Sequence, residues 1–444
     1  MFFNFTKPTK EVDNMIYRTL SAPLSVQIEI TDNCNQVCTH CYRACQHIKK
    51  AVSKHLLPSQ AEKLVEELAR WKVMSVCFTG GEPLMFKETL KAGIRKAKEL
   101  GLVVYCNTNL QLLTREMSDF FYQNSVGILT SLLSHQPEIH DVIIQREGFH
   151  KRLLSNVLML TETGVLTSAN MVVRKENAHQ VYETGKLAHS LGILRFSATK
   201  VAPSPDTEYR NYRATPQQIK ESMDALLHLQ SDLGLWVEIL ETYPLCFIGD
   251  MKKYQQFLRR NCTAGVFNCS ISPDGSIRPC AHADMTYGNL FEKSLQECWF
   301  AMQEWRDGTF LYEKCRICPH LLRCSGGCRM DAKIFYNDIH GKDPLMTGPE
   351  KVNFAENTSQ LDFQLPNNLK FVKGVQIRAE EFGGVVKYND ELVFLNKAGY
   401  NTVLNLLSGN KYFSWKEVDV EGVSVKDREL FFKVLFDKKM FLVS

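Results

Sequence analysis

Short apolar segments alternate with amphipathic segments over the first half of the chain. The segments LSVQIEIT (24–31), VMSVCFTGG (73–81) and LVVYCNTN (102–109) are rich in β-branched and aromatic residues, which predicts strands. Between them, PSQAEKLVEELARW (58–71) and KETLKAGIRKAKELG (87–101) repeat apolar residues three and four positions apart, which predicts helices. The rhythm continues to about residue 200. Repeated strand–helix units predict an α/β fold whose parallel sheet curls into a partial or full barrel, with its site at the strands' carboxyl ends.

The alternation then stops, and the rest of the chain changes character several times. A mostly helical stretch is followed by a segment rich in Cys, Gly and Pro, then by a polar and patternless stretch that predicts a linker. The last part predicts three short strands followed by two helices, a small α+β domain. The predicted divisions are an N-terminal lead (1–23), the barrel (24–215), a helical connector (216–261), the cysteine-rich domain (262–346), the linker (347–368) and the C-terminal domain (369–444).

Composition and charge narrow the class of protein. A chain of 444 residues is too long for one core, so two to four domains are expected. The net charge of +4 is too small to indicate nucleic acid or an anionic membrane as a partner. The opening residues lack the apolar stretch of a signal peptide, and no run of about 18 apolar residues occurs. We therefore expect a cytoplasmic protein that binds neither nucleic acid nor a membrane.

Cysteine is the unusual residue of this chain. Most of its 15 cysteines fall into two groups, residues 34–45 and 262–328. In a reducing compartment such groups indicate metal or iron–sulfur ligation rather than disulfides. The cysteines expected to be ordinary core or loop thiols are Cys45, Cys77, Cys106 and Cys298.

The first group places Cys34, Cys38 and Cys41 directly after a predicted strand. A structural zinc site takes four protein ligands, whereas three thiolates on a [4Fe–4S] cluster leave one iron free to bind another molecule. The spacing alone leaves two alternatives open: a zinc site completed by His40 or Cys45, and unrelated buried thiols.

The sequence CNQVCTHC around these cysteines resembles the CxxxCxΦC signature of radical S-adenosylmethionine (SAM) enzymes, with His40 in the aromatic position. The sequence TGGEP (79–83), at the end of the next predicted strand, resembles the second motif of that family. The resemblance implies a partial (β/α)6 barrel of the TIM type, in which the free iron of a [4Fe–4S] cluster is chelated by the amino and carboxylate groups of SAM. It also implies reductive cleavage of SAM to methionine and a 5′-deoxyadenosyl radical.

The resemblance further implies which residues contact the cofactor. The glycines of TGGEP would let the backbone approach it closely, and Glu82 would accept a hydrogen bond from its ammonium group. CNTNL resembles the family's Thr-Asn-Gly strand end, but Leu110 stands in the place of the glycine. The position of an arginine that relatives often carry is Ile144 here, with Arg146 nearby. The implied cofactor contacts are His40, Gly80, Gly81, Glu82, Asn109 and Ser131.

The second cysteine group has too many thiols for simple zinc sites, because seven thiolates do not divide into two closed tetrahedral sets. Its spacing, including Gly275 in the first element, resembles the SPASM domain, which holds auxiliary [4Fe–4S] clusters. The resemblance implies one or two such clusters. The implied ligands are Cys262, Cys269, Cys280 and Cys328 for cluster I, and Cys315, Cys318 and Cys324 for cluster II.

Cluster II departs from the family's pattern. A fourth cysteine is expected near residue 345, but GKDPLMTG contains only Asp343 and Met346 as possible donors. The alternatives are an open iron, an oxygen ligand with Asp343 the closest candidate in sequence, closure by Cys246 from YPLCFIGD, or the absence of the cluster.

The C-terminal domain resembles the PqqD-like peptide-recognition domain, in a winged-helix arrangement, through R-x-E-x-F-G-G and LN-x-x-G. The resemblance implies that the leader of a ribosomally made precursor peptide adds a strand to its sheet. A winged-helix DNA reader is disfavoured, because KDRELFFKVLFDKK mixes acids with bases.

These observations lead us to expect a radical SAM/SPASM maturase that crosslinks a precursor peptide through thioether or carbon–carbon bonds. An external donor such as flavodoxin or ferredoxin would supply its electrons. A formylglycine-forming enzyme that acts on a protein substrate is the alternative within the same chemistry. A zinc or iron–sulfur regulator with a winged helix is the non-enzymatic alternative.

Overall fold

The computed structural model divides the chain into two compact units. One unit spans residues 22–354, and the other combines residues 1–21 with 355–444. Cys45, most of the N-terminal lead and most of the predicted linker lie outside the described residues. The finer domain boundaries within the first unit stay predictions. The structure describes residues 17–42, 53–204, 209–348, 363–389, 391–420 and 423–443.

In its described part, the larger unit is built on a nine-stranded sheet, which confirms the predicted α/β class and the partial barrel. The strands are β1 (Ser25–Glu29), β2 (Ser75–Thr79), β3 (Val103–Asn107), β4 (Gly127–Ser131), β5 (Thr167–Val173), β6 (Arg195–Lys200), β7 (Trp236–Glu238), β8 (Asn268–Ile271) and β9 (Ile277–Arg278). Their order is β7-β6-β5-β4-β3-β2-β1-β8-β9. All neighbours are parallel except β8 and β9.

Helices connect these strands, and the first helix shows which sequence features favour helix formation. Pro58 opens the helix 58–70, and Ala61, Leu64, Val65 and Leu68 lie on its buried face at helical spacing. The helices of the larger unit are α1 (Pro58–Arg70), α2 (Lys87–Glu99), α3 (Arg115–Gln123), α4 (Pro137–Ile144), α5 (Phe149–Thr163), α6 (Val181–Ser190), α7 (Tyr209–Tyr212), α8 (Pro216–Leu233), α9 (Leu245–Ile248), α10 (Leu295–Phe300), α11 (Glu313–Arg316), α12 (Leu321–Cys324) and α13 (Arg329–Tyr336). Short 3₁₀ helices cover Pro83–Phe86, Ala178–Gln180, Gln255–Arg259 and Gln303–Trp305. No described helix is long and apolar enough to cross a membrane.

The cysteine-rich segment joins the barrel sheet directly. Strand β8 pairs in parallel with β1, with Val26 opposite Cys269. A hairpin leads from β8 to β9, and its turn contains Gly275 at φ +84°. A Cβ atom there would lie 2.5 Å from Asn289 Oδ1, so only glycine fits this turn.

The smaller unit contains two antiparallel sheets instead of the single set of three strands that we predicted. One sheet has the order β14-β10-β15 and the other β11-β12-β13. The predicted strand FVKGVQIR is divided between β10 and β11 by a turn at Gly374. The predicted strands GGVVKY and ELVFLN and the predicted helix KAGYNTVLNLLSG are confirmed. The elements are β10 (Asn368–Phe371), β11 (Gln376–Glu380), β12 (Gly383–Tyr388), β13 (Glu391–Asn396), α14 (Lys397–Gly409), β14 (Phe413–Ser414), α15 (Val425–Asp437) and β15 (Phe441–Val443).

Candidate active site

The loop that follows β1 carries the first cysteine group and runs along the carboxyl end of β2. Ile30 N donates a hydrogen bond to Thr79 O at 2.8 Å, which continues the sheet by one residue. Gly81 N then donates to Thr31 O and Glu82 N to Asn33 O, each at 2.7 Å. The backbone of TGGEP therefore holds the segment that leads into Cys34.

The two glycines of TGGEP are required by this close approach. A Cβ atom on Gly81 would lie 1.8 Å from Asn33 O, and one on Gly80 would lie 2.4 Å from Thr31 O. Gly80 also has φ +140°, a conformation that side chains rarely adopt. The glycines thus position the cysteine loop, and their predicted contact with the cofactor stays a prediction.

Glu82 connects the ends of two neighbouring strands. Its buried carboxylate accepts hydrogen bonds from Leu84 N at 2.9 Å, the Thr108 hydroxyl at 2.6 Å and Asn109 N at 2.7 Å. Burial raises the pKa of Glu82 to about 7, and these three hydrogen bonds oppose that rise. The predicted contact with the cofactor's ammonium group remains a prediction.

The strand end after β3 also contacts the cysteine loop. Asn109 Nδ2 donates to Asn35 Oδ1 at 2.7 Å and lies 3.7 Å from Cys34 Sγ. Leu110, which stands where the family has glycine, adopts φ +60° and is fully buried. The chain therefore keeps the left-handed turn that favours glycine, although the residue is leucine.

The three loop thiols behave as one electrostatic group. Burial raises the pKa of Cys34 to about 12, and the charges of Glu82 and Cys41 add to this rise. Burial raises the pKa of Cys38 well above its usual value, and the charges of Cys41 and Cys34 add to this rise. Among the described residues, no three His, Cys, Asp or Glu side chains converge closely enough to hold a single metal ion. A four-iron cluster binds each thiolate through a different iron, so it needs a wider spacing.

His40 and Ser131 occupy different surroundings. Burial lowers the pKa of His40 to about 3, and Arg174 adds to this, so the ring is neutral. Its Nδ1 atom is buried and has no hydrogen-bond partner among the described residues. Ser131 is the last residue of β4 and its surface is exposed. Neither placement tests the predicted cofactor contact.

Two arginines donate hydrogen bonds to the cysteine loop. Arg146 Nε donates to Asn35 O at 3.1 Å, while the buried Ile144 accepts from Val37 N through its carbonyl. Arg174, at the end of β5, is buried and donates to the Thr39 hydroxyl. We did not predict a role for Arg174; the signal was a charged residue directly after the apolar strand TSANMVV.

The structure brings three of the four predicted ligands of cluster I together. Burial raises the pKa values of all three thiols, Cys262, Cys280 and Cys328. The pKa of Cys280 rises to about 12, and that of Cys328 rises well above its usual value. The charge of Glu241 raises the pKa of all three thiols, so this carboxylate lies beside the group. Cys269 is buried within β8, and its electrostatic neighbour in the described structure is Cys298. Its assignment to cluster I stays a prediction.

A buried ionic cluster lies against Cys328. Lys200, the last residue of β6, pairs with Asp331, and Arg213 Nη1 lies 2.8 Å from the same carboxylate. Asp331 N contacts Cys328 Sγ at 3.4 Å, and Asp343 Oδ2 accepts from Cys328 N at 2.8 Å. No local sequence pattern signals this cluster, because its members lie on separate elements.

The second auxiliary group is formed at the short helices α11 and α12. Burial raises the pKa of Cys315 to about 12, and the charges of Cys324, Cys318 and Cys246 contribute to that rise. Burial also raises the pKa of Cys324, and the charges of Cys246 and Cys318 add to this rise. The three predicted ligands of cluster II are therefore close together, and a fourth thiol lies beside them.

Comparison with known protein families agrees with this arrangement. Residues 28–188 match the radical SAM superfamily, and residues 262–319 match SPASM, an iron–sulfur cluster-binding domain. The chain thus contains a radical SAM domain and a SPASM domain. It is an enzyme, and its cofactors are S-adenosylmethionine and iron–sulfur clusters. This confirms the class of protein that the two cysteine groups predicted and excludes the non-enzymatic regulator. The PqqD-like character of the C-terminal unit stays a prediction.

Individual relatives are distant but cover most of their own length. The AdoMet-dependent heme synthase of Methanosarcina barkeri is 24% identical over 73% of this chain and 96% of its own. The PqqA peptide cyclase of Bradyrhizobium diazoefficiens is 24% identical over 73% of this chain and 86% of its own. Among solved structures, Streptococcus suis SuiB bound to precursor peptide SuiA has a TM-score of 0.63 at 18% identity, covering 75% of this chain and 77% of SuiB. This likeness supports the fold described above.

Proposed function

We propose that this radical SAM enzyme modifies a ribosomally made precursor peptide by forming a thioether or carbon–carbon crosslink between side chains. The observation that carries the proposal is the convergence of Cys34, Cys38 and Cys41 on one loop at the carboxyl end of β1. That edge of a parallel sheet is where such folds place their chemistry. The similarity to a PqqA peptide cyclase, and to SuiB with its precursor peptide, supports a peptide as substrate.

The residues on the β1 loop fit a bound iron–sulfur cluster. Burial raises the pKa values of the Cys34 and Cys38 thiols, and a bound cationic metal centre would stabilise their thiolate forms. When bound, the cluster and S-adenosylmethionine supply the radical that abstracts a substrate hydrogen. His40 Nδ1, which has no hydrogen-bond partner among the described residues, is a candidate atom for contact with a ligand. We assign the cluster to Cys34, Cys38 and Cys41, and the cofactor contacts to His40, Gly80, Gly81, Glu82, Asn109 and Ser131.

The auxiliary clusters would accept the electron released when the substrate radical closes to product, or hold a substrate thiolate. The grouping of Cys262, Cys280 and Cys328 supports cluster I, and the grouping at α11 and α12 supports cluster II. We retain Cys269 as the fourth ligand of cluster I on the family's pattern alone.

We assign recognition of the peptide to the C-terminal unit, as a PqqD-like domain. In the described part of this unit, the sheet β11-β12-β13 has β12 in the centre and β11 and β13 at its two sides. An extended leader segment would add a strand at one side of this sheet, where main-chain hydrogen bonds supply affinity. The mixed charges of α15 support a peptide over DNA as the ligand.

We also propose a reducing, cytoplasmic setting with flavodoxin or ferredoxin as the electron donor. The fourteen cysteines that the structure describes form no disulfide with one another, which suits a compartment where thiols stay reduced.

The test is reductive cleavage of S-adenosylmethionine by protein reconstituted with iron and sulfide under anaerobic conditions. Wild-type protein should form 5′-deoxyadenosine, and Cys34→Ala, Cys38→Ala and Cys41→Ala should each abolish it. The matched control is Cys77→Ala, which removes a strand thiol outside the loop and should retain cleavage. Cleavage that persists in the triple variant, or stoichiometric zinc in place of iron, would contradict the proposal.

A second candidate is a radical reaction on a tetrapyrrole, favoured by the similarity to the heme synthase. The matched region covers nearly all of that relative but leaves part of this chain unmatched, so this chain carries a segment that the relative lacks. Mass spectrometry after turnover separates the candidates, with the peptide encoded by any short reading frame beside the gene as the test substrate. A link between two side chains supports the maturase, formylglycine supports the alternative peptide chemistry, and turnover with porphyrin alone supports the tetrapyrrole.

A further inference from the structure

The second auxiliary cysteine group has three thiols from the SPASM pattern and needs a fourth ligand. Cys315 lies on α11, Cys324 ends α12, and Cys318 lies between these helices. Cys318 N donates to Cys315 O at 3.1 Å, which folds this segment into a compact turn. The family's downstream cysteine is replaced by Met346.

Helix α9, which lies outside the matched SPASM residues, packs against this group. Leu245 N donates a hydrogen bond to Cys324 Sγ at 3.3 Å. The next residue, Cys246, is half-buried, and its carbonyl accepts from the Thr347 hydroxyl at 2.6 Å. These contacts place Cys246 beside the three thiols of this group.

Asp343, the oxygen donor closest in sequence, is directed elsewhere. Its Oδ2 accepts from Cys328 N and its Oδ1 from Leu345 N, both at 2.8 Å. Lys200 Nζ lies 4.0 Å from the same carboxylate. Asp343 is therefore already bound in the ionic cluster beside the first auxiliary group.

Met346 is close to the three thiols but has the wrong chemistry. Its Sδ lies 4.0 Å from Cys315 Sγ, so it occupies the region where the family has cysteine. A thioether cannot ionise, however, and clusters of this kind are held by thiolates. Of the sulfur atoms of Met346 and Cys246, only that of Cys246 can form a thiolate.

We propose that Cys246 is the fourth thiolate ligand of the second auxiliary cluster, together with Cys315, Cys318 and Cys324. The inference rests on the SPASM assignment within the proposed function. A cluster closed by four protein thiolates has no iron open to substrate. This cluster would then serve electron transfer, and any substrate contact would fall to another centre.

The test isolates the auxiliary clusters by using the variant in which the three loop cysteines are replaced by alanine. After anaerobic reconstitution, this background should hold about eight irons, four for each auxiliary cluster. Adding Cys246→Ser should remove up to about four irons, or change the electron paramagnetic resonance spectrum of the reduced protein, and Cys318→Ser should have the same effect. Adding Met346→Leu or the control Cys298→Ser should leave both readouts unchanged. Circular dichroism and the melting temperature establish that each variant is folded.

A rescue variant sharpens the assignment. Combining Cys246→Ser with Met346→Cys returns a thiol to the family's position beside Cys315, so restored iron would support a four-thiolate set. Cys246→Ser with the iron content and spectrum of the background would overturn the proposal, as would changes that follow Met346→Leu instead. A background without auxiliary iron would overturn the cluster and with it the role of Cys246. If wild-type protein formed no 5′-deoxyadenosine while the iron still responded to Cys246→Ser, the proposed function would fail and the ligand assignment would stand.

Discussion

Replacing Gly81 with alanine should disable radical formation through a steric effect on the cysteine loop. The added Cβ would lie 1.8 Å from Asn33 O, whereas real Cβ contacts essentially never fall below 3.0 Å. The loop backbone must therefore move by at least 1.2 Å, the difference between these distances, and Cys34 is the next residue along. A displacement of about 1 Å at a reacting centre can cost roughly 100-fold in rate. Overpacking of this kind also lowers the free energy of unfolding by about 1–3 kcal/mol.

The assay is the rate of 5′-deoxyadenosine formation by Gly81→Ala, with iron per chain measured on the same sample. We expect a loss of about 100-fold or more in rate, while the auxiliary clusters keep their iron. The matched control is Gly409→Ala, because a Cβ atom there meets nothing closer than the Lys411 side chain at 3.9 Å. Wild-type rate and iron content in Gly81→Ala would refute the reasoning, since the loop would then tolerate the displacement.

Three further predictions follow from burial and from the division into units. Lys200→Met should lower the free energy of unfolding by about 3–5 kcal/mol in urea titrations, because it removes a positive charge that the buried carboxylates of Asp331 and Asp343 face. The control Lys54→Met, at an exposed ion pair, should change this free energy by less than about 1 kcal/mol. Burial holds the pKa of His140 at about 3 in the folded chain, against about 6.5 in the unfolded chain. The stability that depends on neutral His140 is therefore fully present above pH 6.5 and is lost as the pH falls towards 3. His140→Gln should flatten the pH dependence of the melting temperature over this range, and an unchanged slope would contradict the prediction. Deleting 369–444 should leave uncoupled S-adenosylmethionine cleavage intact but abolish tight binding of the precursor peptide by calorimetry, and unaltered binding would exclude the recognition role.

Hydrophobic periodicity predicted the elements that are long enough to show a repeating pattern of apolar residues. Strands β1 to β6 span five to seven residues, and the predicted helices between them are confirmed. Strands β7 and β8 span three and four residues, too short for an alternation to register. Their identity depends on partners far along the chain, such as Ser25 opposite Asn268. Long-range pairing of this kind leaves no local signal.

The site likewise contains residues that local sequence spacing predicted and contacts that it did not predict. Spacing within one loop was enough to predict the cysteines, because the chemistry requires those residues at that separation. The contacts that hold the loop come from other strand ends, as with Glu82 to Thr108 and Arg174 to Thr39. The sequence offered Cys246 only as one alternative among several for cluster II, because Cys246 and Cys315 lie on separate short helices. Only the folded chain shows that these residues meet.

Three buried connections fasten the auxiliary cysteines to the barrel. Strand β8 pairs directly with β1, so the cysteine-rich segment extends the sheet that precedes the radical-site loop. At the end of β1, Glu29 pairs with Arg278 of β9 at 2.5 Å, and both side chains are buried.

The third connection is the pair of Lys200 with Asp331, which links the end of β6 to helix α13 beside Cys328. Breaking any of these would leave a buried charge or an unpaired strand, and both are costly. The barrel and the auxiliary region thus form one compact unit, whereas the candidate recognition sheets belong to another. Such a division suits a radical enzyme, because electron transfer needs fixed distances between centres and binding of a flexible leader does not.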